Sequence, residues 1–240
     1  MSMLSDILRD LRRLIAPPTC PICGGPLPDE NVGVCTMCEL TAPLTNTWIE
    51  RENAMTERFW GLVPIEHASA FLWYVEGSEW REAIHRFKYK GAWHSAYALG
   101  RWYGNHLKES GNYDDVDLVV PVPLHWLRRI GRGYNQSEYL ADGIAERLGV
   151  EVDRGSVVRR RYNRTQTSRS HLQRWDNVKG IFAVRNAERL RGRHILLVDD
   201  VFTTGATIMS LGETILQAVP DARLSVATLA ATPRSLNRKE

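Results

Sequence analysis

The chain predicts an α/β fold: a parallel sheet flanked by helices, with a small cysteine-built module towards the N-terminus. Three stretches carry that prediction. Ile195, Leu196, Leu197 and Val198 form a short unbroken apolar run, as strands buried on both faces of a parallel sheet do. They lead through two carboxylates into a helical pattern of Ile208, Leu211, Ile215 and Leu216. Residues 117–120 begin a second such run, stopped by Pro121 and Pro123, which lack the N–H that a sheet ladder needs. All four cysteines of the 240 residues fall within nineteen positions, spaced C-x2-C, eleven residues, C-x2-C.

Length and composition bound the reading. A chain of 240 residues holds one substantial core plus a small appendage, and 43% hydrophobic with 25% charged residues is ordinary for a globular protein. No segment approaches the roughly 20 uninterrupted apolar residues of a membrane span. The first residues lack the apolar run and small-residue cleavage site of a secretory signal, so a cytoplasmic location is expected. A net charge of +3 is too small to argue for nucleic acid, so the distribution of charge must decide.

Leu4, Ile7, Leu8, Leu11, Leu14 and Ile15 follow helical spacing between basic residues, and Pro17 and Pro18 end that helix. Its apolar face suits packing on the rest of the chain better than a membrane surface. Cys20, Cys23, Cys35 and Cys38 then form two close pairs. On facing turns these bring four thiolates around one tetrahedral Zn²⁺, as in a zinc ribbon, and four such ligands leave no open position, so the role is structural. Two disulfides would need an oxidising compartment. Whether the ribbon is a plain scaffold or also a binding surface stays open.

Residues 41–66 show little periodicity and read as a connector or an irregular hood. Residues 68–75 read as a strand, and Ser78 caps a helix carrying Trp80, Ala83, Ile84 and Phe87. A second helix runs over about 93–108. After the strand at 117–120, the loop Pro121, Val122, Pro123, Leu124 is followed by Arg128 and Arg132, whose guanidinium forks suit phosphate oxygens. Residues 135–148 read as a helix that stops at Gly149. Further strands are expected at 181–184 and 223–229, and a frayed tail at 234–240.

Residues 154–174 contain seven arginines (Arg154, Arg159, Arg160, Arg161, Arg164, Arg169 and Arg174) and no acid. So uneven a segment in a near-neutral chain creates a local positive field. It suits a lid closing over an anionic ligand, and equally a surface that follows a nucleic-acid backbone, with Tyr162 or Trp175 for base stacking.

The stretch 199–207 carries the chemistry. Asp199 and Asp200 end the strand, and Thr203, Thr204, Gly205, Ala206 and Thr207 open the next helix. Loop amides, Thr hydroxyls and the positive end of the helix dipole suit a phosphate. The carboxylates would repel that phosphate; they suit sugar hydroxyls, or a Mg²⁺ ion sharing them. An ordinary capped strand–turn–helix explains one acidic residue but not a buried strand ending in two.

All thirteen positions of 195–207 resemble the phosphoribosyl-pyrophosphate (PRPP) motif of type I phosphoribosyltransferases. The resemblance implies that Asp199 and Asp200 hold the ribose hydroxyls, that residues 203–207 cradle the 5′-phosphate, and that residues 121–124 with Arg128 and Arg132 bind the pyrophosphate. Together with the four-cysteine ribbon, Phe-Lys-Tyr-Lys-Gly at 87–91 and Arg-Gly-Tyr-Asn-Gln at 132–136, the chain resembles the ComF family, tied to DNA uptake in natural competence. The likeness spans residues 4 to about 232, with Tyr134 where Phe is more usual. It implies a type I phosphoribosyltransferase-like domain at 67–233, after a helix and ribbon at 1–45 and a connector at 46–66. Two functions follow from it. One is a Mg²⁺-dependent transferase acting on PRPP, with no general base to be named, since residues 203–207 hold no His, Cys or Glu. The other is a non-catalytic single-stranded-DNA-binding factor, with Arg159, Arg160, Arg161, Arg164, Arg169 and Arg174 on the DNA and PRPP as ligand or regulator. A scaffold that recruits other DNA-uptake proteins through residues 1–45 is a third.

Overall fold

The structure is a computed structural model describing residues 19–28, 33–86, 93–125, 133–160 and 180–236. In chain order its elements are α1 (Thr36–Leu40), a 3-10 turn (Thr56–Phe59), β1 (Ala68–Trp73), α2 (Glu79–Arg86), α3 (Trp93–Ser110), β2 (Leu118–Pro121), α4 (Gln136–Leu148), β3 (Glu151–Val152), β4 (Val157–Arg159), β5 (Phe182–Val184), β6 (His194–Phe202), α5 (Ala206–Ala218), β7 (Arg223–Ala231) and α6 (Pro233–Leu236). Five strands form one sheet in the order β1-β7-β6-β2-β3, every neighbouring pair parallel. β4 and β5 form a separate antiparallel ribbon.

Alternation along the strands divides the core into two layers. Leu196 and Val198 of β6 join Leu99 and Tyr103 of α3 and Leu140 and Ile144 of α4 on one face. Ile195 and Leu197 join Ile208 and Leu211 of α5, with Phe59 and Phe182, on the other. This is the helix-flanked parallel sheet that the unbroken apolar runs predict, because a strand covered on both faces has no polar side to show.

The connections diverge between two adjacent strands. β2 leads through α4 to β3 on one side, and β6 leads through α5 to β7 on the other. Such a divergence opens a crevice at the carboxyl ends of the two strands, where α/β sheets bind their ligands. The placing of α4 at this crevice depends on close helix packing. A Cβ on Gly100 would stand 2.3 Å from Leu140 O, and one on Gly143 2.3 Å from Tyr97 O, so α3 and α4 touch backbone to backbone.

Several bounds differ from the sequence reading. β6 runs nine residues and includes both aspartates, because its pairing with β7 continues to Phe202 opposite Ala231. Residues 46–66 contribute to the core, with Trp48, Met55, Phe59 and Val63 buried. Asn53 holds this irregular segment: Nδ2 donates to the carbonyls of Thr47, Glu50 and Ala68, and Oδ1 accepts from the amides of Met55 and Thr56. Pro233–Leu236 form α6, which overlaps the tail expected at 234–240. Ser235 and Leu236 are buried in α6, and Ser235 Oγ donates to Phe202 O at 3.3 Å. The N-terminal helix and residues 87–91 lie outside the described residues.

Candidate functional site

β6 places both aspartates at the crevice. Val198, the last apolar residue before them, is in register with Pro121 of β2, and Val122 N–H donates to Val198 O at 2.8 Å. Asp199 Oδ1 accepts from Ser137 Oγ at 3.1 Å and from the Asp200 amide at 2.9 Å. Asp200 Oδ1 accepts from the Val201 amide at 2.7 Å. Both aspartates are half-buried, open enough to meet a ligand yet oriented by backbone and helix donors.

Beyond Phe202 the chain turns through exposed Thr203 and half-buried Thr204 into Gly205. Gly205 has φ 75°, and a Cβ there would lie 2.8 Å from the Phe202 ring, so only glycine fits both the backbone and the space. Thr204 Oγ1 accepts from Ala206 N–H at 3.4 Å. α5 then starts at Ala206 with no acidic residue in its first turn, leaving the positive end of its dipole beside the turn. Phe202 is no ligand contact: it is buried, 5.8 Å from the Phe59 ring.

The loop after β2 borders the same crevice. Pro121 and Pro123 have no amide hydrogen, and the Val122 amide is committed to Val198, so an amide contact from residues 121–124 to an anion falls to Leu124. Arg128 and Arg132, expected to assist this loop, lie outside the described residues, as do Arg161, Arg164, Arg169 and Arg174. Arg159 ends β4, its guanidinium 5.6 Å from the Phe182 ring centre, and the Arg160 amide donates to Ile181 O. The arginine-rich segment therefore springs from a two-stranded ribbon, and β5 of that ribbon packs against α5.

The sequence reading did not assign Asn135 and Ser137 to this site. Asn135 caps α4, its Oδ1 accepting from Ser137 N–H at 3.3 Å while its Nδ2 donates to Val122 O at 3.1 Å. Asn135 Nδ2 also approaches Glu138 Oε1 at 3.4 Å. An Asn followed three residues later by Glu before an apolar pattern is a helix-start signature, and that was the available signal. That it also anchors the β2 loop was not readable.

The four cysteine sulfurs lie within 4.8 Å of one another. Four thiolates about 2.3 Å from one Zn²⁺ stand roughly 3.8 Å apart, so the set fits a zinc ribbon. Cys23 and Cys35 Sγ are 3.6 Å apart, and the amides of Gly25 and Cys35 point at Cys23 and Cys20 Sγ at 3.4 and 3.5 Å. Burial opposes ionisation of the Cys20 thiol, but the N–H groups of Cys23, Cys35 and Ile22 outweigh it and bring its pKa to about 7. Burial, then hydrogen bonding with the other three sulfurs, pushes Cys38 up. The module is joined to the fold: Cys20, Ile22, Val34 and Cys38 share one buried cluster with Trp48 and Phe71.

A second group, Glu66, Asp115 and His194, gathers at the opposite end of the sheet. Arg223 occupies its carboxylates, pairing with both oxygens of Glu66 and with Asp115 Oδ2. His194 meets Asp115 at 3.0 Å and Ser225 Oγ at 2.8 Å. This network ties the starts of β6 and β7 to the segments entering β1 and β2, and is structural.

The phosphoribosyl transferase domain model matches residues 135–240. DNA utilization protein YhgH of Escherichia coli is 32% identical over 56% of this chain, which spans 60% of that relative's length. Competence protein F of Haemophilus influenzae is 28% identical over 54% of the chain and 58% of its own. Competence protein ComFC of Bacillus subtilis is 27% identical over 88% of the chain and 76% of its own. No described helix is long and apolar enough to cross a membrane. A parallel sheet whose strand–turn–helix presents two aspartates, with a four-cysteine cluster packed on it, accompanies this similarity to the ComF-type competence and DNA utilization proteins.

Proposed function

We propose that this chain binds PRPP with Mg²⁺ at the turn between β6 and α5 and serves DNA uptake as a phosphoribosyltransferase-domain protein. One observation carries the reading. Acceptors suited to a diol, Asp199 and Asp200, stand immediately before donors suited to a phosphate, the 203–207 turn and the α5 N-terminus, at the crevice where the sheet connections diverge. The process is proposed from the relatives' names, DNA utilization and competence proteins. Four thiols clustered as zinc ligands fit a reducing cytoplasm and a structural Zn²⁺.

In this reading Asp199, oriented by Ser137, and Asp200 hold the ribose hydroxyls, and Thr203, Thr204, Gly205, Ala206 and Thr207 hold the 5′-phosphate. The pyrophosphate is bound by Leu124 with Arg128 and Arg132. Mg²⁺, when bound, supplies positive charge against the leaving pyrophosphate. As the C1′–oxygen bond breaks, a nucleophilic acceptor forms the new bond at C1′, and the fixed donors stabilise the departing charge. The test is calorimetric titration of PRPP into zinc-loaded protein with and without Mg²⁺, beside the Asp199→Asn/Asp200→Asn variant. Mg²⁺-dependent binding that disappears in the variant supports the reading; no binding to folded wild-type protein removes it.

The arginine-rich segment leaving the β4–β5 ribbon favours a second reading, single-stranded DNA binding with PRPP as regulator. Neutralising Arg159, Arg160 and Arg161 then abolishes a salt-sensitive affinity for single strands and leaves PRPP binding intact.

A further inference from the structure

We propose that the cleft between the cysteine module and helices α3 and α4 is a second anion site, taking a phosphate group on Arg147, Arg101 and Asn105. It stands apart from the PRPP reading, because the cleft is remote from the β6–α5 turn.

Val34 and Glu39 of the module face Arg101, Trp102 and Asn105 of α3 and Arg147 of α4 across this cleft. The module sits directly on α3 here, since a Cβ on Gly33 would stand 3.0 Å from Ala98 O. The cleft holds about 130 Å³, below the roughly 300 Å³ at which pockets begin to hold whole drug-sized ligands. It therefore admits a charged head group and leaves the rest of the ligand outside. Arg147 lies in the last turn of α4, about 15 Å along the helix from Ser137 at the PRPP end.

Arg147 sets the charge of the ligand. Its Nε is buried with no hydrogen-bond partner. A charged donor held out of water without an acceptor is costly. Its stem is pinned, because Cβ and Cγ pack so close to Gly104 that a Cβ on that glycine would meet them at 2.9 and 3.2 Å. Arg101, in the same cleft, differs: its Nε pairs with Glu146 Oε1 at 3.3 Å. One guanidinium is thus answered inside the fold, and the other is left for what enters.

An anion rich in acceptors suits these donors. Guanidinium forks bind phosphate oxygens in pairs, and a carboxamide such as that of Asn105 adds N–H donors. Val34 and Trp102 supply apolar wall, which strengthens a charge pair over its worth in open water. Glu39 is the one acid among the described lining residues, and it opposes an anion from the module side. That opposition gives the site a signature of two signs. Loss of the Glu39 charge strengthens binding, and loss of the Arg147 charge weakens it, whereas an arginine kept only for packing produces neither effect.

The test is titration of inorganic phosphate into the zinc-loaded full chain, read by NMR at the arginine Nε–H groups. The Arg147 signal is the one missing from Arg147→Met. In the wild type it should shift saturably with phosphate and stay in place with chloride at equal ionic strength. Glu39→Gln should tighten the phosphate midpoint about threefold. In Arg147→Met the Asn105 carboxamide signal, which should follow the same midpoint in the wild type, should need at least about tenfold more phosphate. Calorimetric titration of PRPP should be unaltered in both variants. Competition by an oligothymidylate at the Arg147 signal supports the site and names a nucleic-acid backbone as the source of the phosphate; a signal that follows phosphate but ignores the oligonucleotide supports it with a free phosphate or phosphomonoester as ligand. An Arg147 signal unmoved by both probes, an equal shift with chloride, or an unaltered midpoint in Glu39→Gln overturns the proposal and leaves Arg147 a packing residue.

Discussion

Ser137 Oγ donates to Asp199 Oδ1 at 3.1 Å, joining the first turn of α4 to the carboxyl end of β6 across 62 positions of sequence. Together with the bond from the Asp200 amide it fixes the orientation of the Asp199 carboxylate at the crevice. Ser137→Ala should weaken Mg²⁺-dependent PRPP binding about tenfold, the usual worth of a hydrogen bond to a charged group, and leave the fold intact. Calorimetry with a thermal melt of the same sample checks both halves.

Helix position rests on α3 and α4 touching at Gly100 and Gly143. A methyl at Gly143 meets Tyr97 O and the Arg101 amide, neither of which can rotate away. Gly143→Ala should destabilise the protein by about 3 kcal/mol. Denaturant midpoints report the loss.

At Gly205 two requirements coincide, a left-handed backbone and space beside the Phe202 ring. Gly205→Ala should cost about 2 kcal/mol and abolish PRPP binding, because the turn that presents the amides must move. Adding Phe202→Leu relieves the contact but not the backbone strain, so unfolding curves of the double variant should recover the part due to the contact and binding should stay lost.

The Arg223 network makes a pH prediction. The Arg223 hydrogen bond holds Glu66 below its ordinary 4.5. Burial pushes Asp115 up, but hydrogen bonds from Arg223 and His194 and their charges reverse this and leave it below 3.8. A lowered carboxylate stabilises the fold fully above its unfolded value and loses that contribution as pH falls through its folded value. Melting temperature should therefore hold above about pH 4.5 and drop below it, and Arg223→Met should flatten that acid limb of the melting profile.

Zinc removal should be felt beyond the ribbon. Cys20 and Cys38 belong to the buried cluster that holds Phe71 and Leu99. Treatment with a strong chelator should lower the melting temperature of the whole protein in a single transition, restored by Zn²⁺. A ribbon that melts separately, with the main transition unmoved, would contradict this coupling.

Much of the fold is local in the sequence. The unbroken run at 195–198, the prolines after residue 120, the Asn135 start and Gly149 stop of α4, and the paired cysteines each carry their signal in a few neighbouring residues, because strands, caps and metal turns are short-range structures. The turn chemistry at 199–207 is legible for the same reason. Tertiary structure alone decided the rest. Nothing near Ser137 in sequence says that it stands beside Asp199, since that depends on where α4 lands after α3 and α4 meet at their glycines. Residues 46–66 look shapeless because Asn53 holds them by side-chain bonds to backbone rather than by periodic burial. Strand order, and with it the crevice between β2 and β6, is a property of long-range pairing, which residue patterns confined to single elements do not encode.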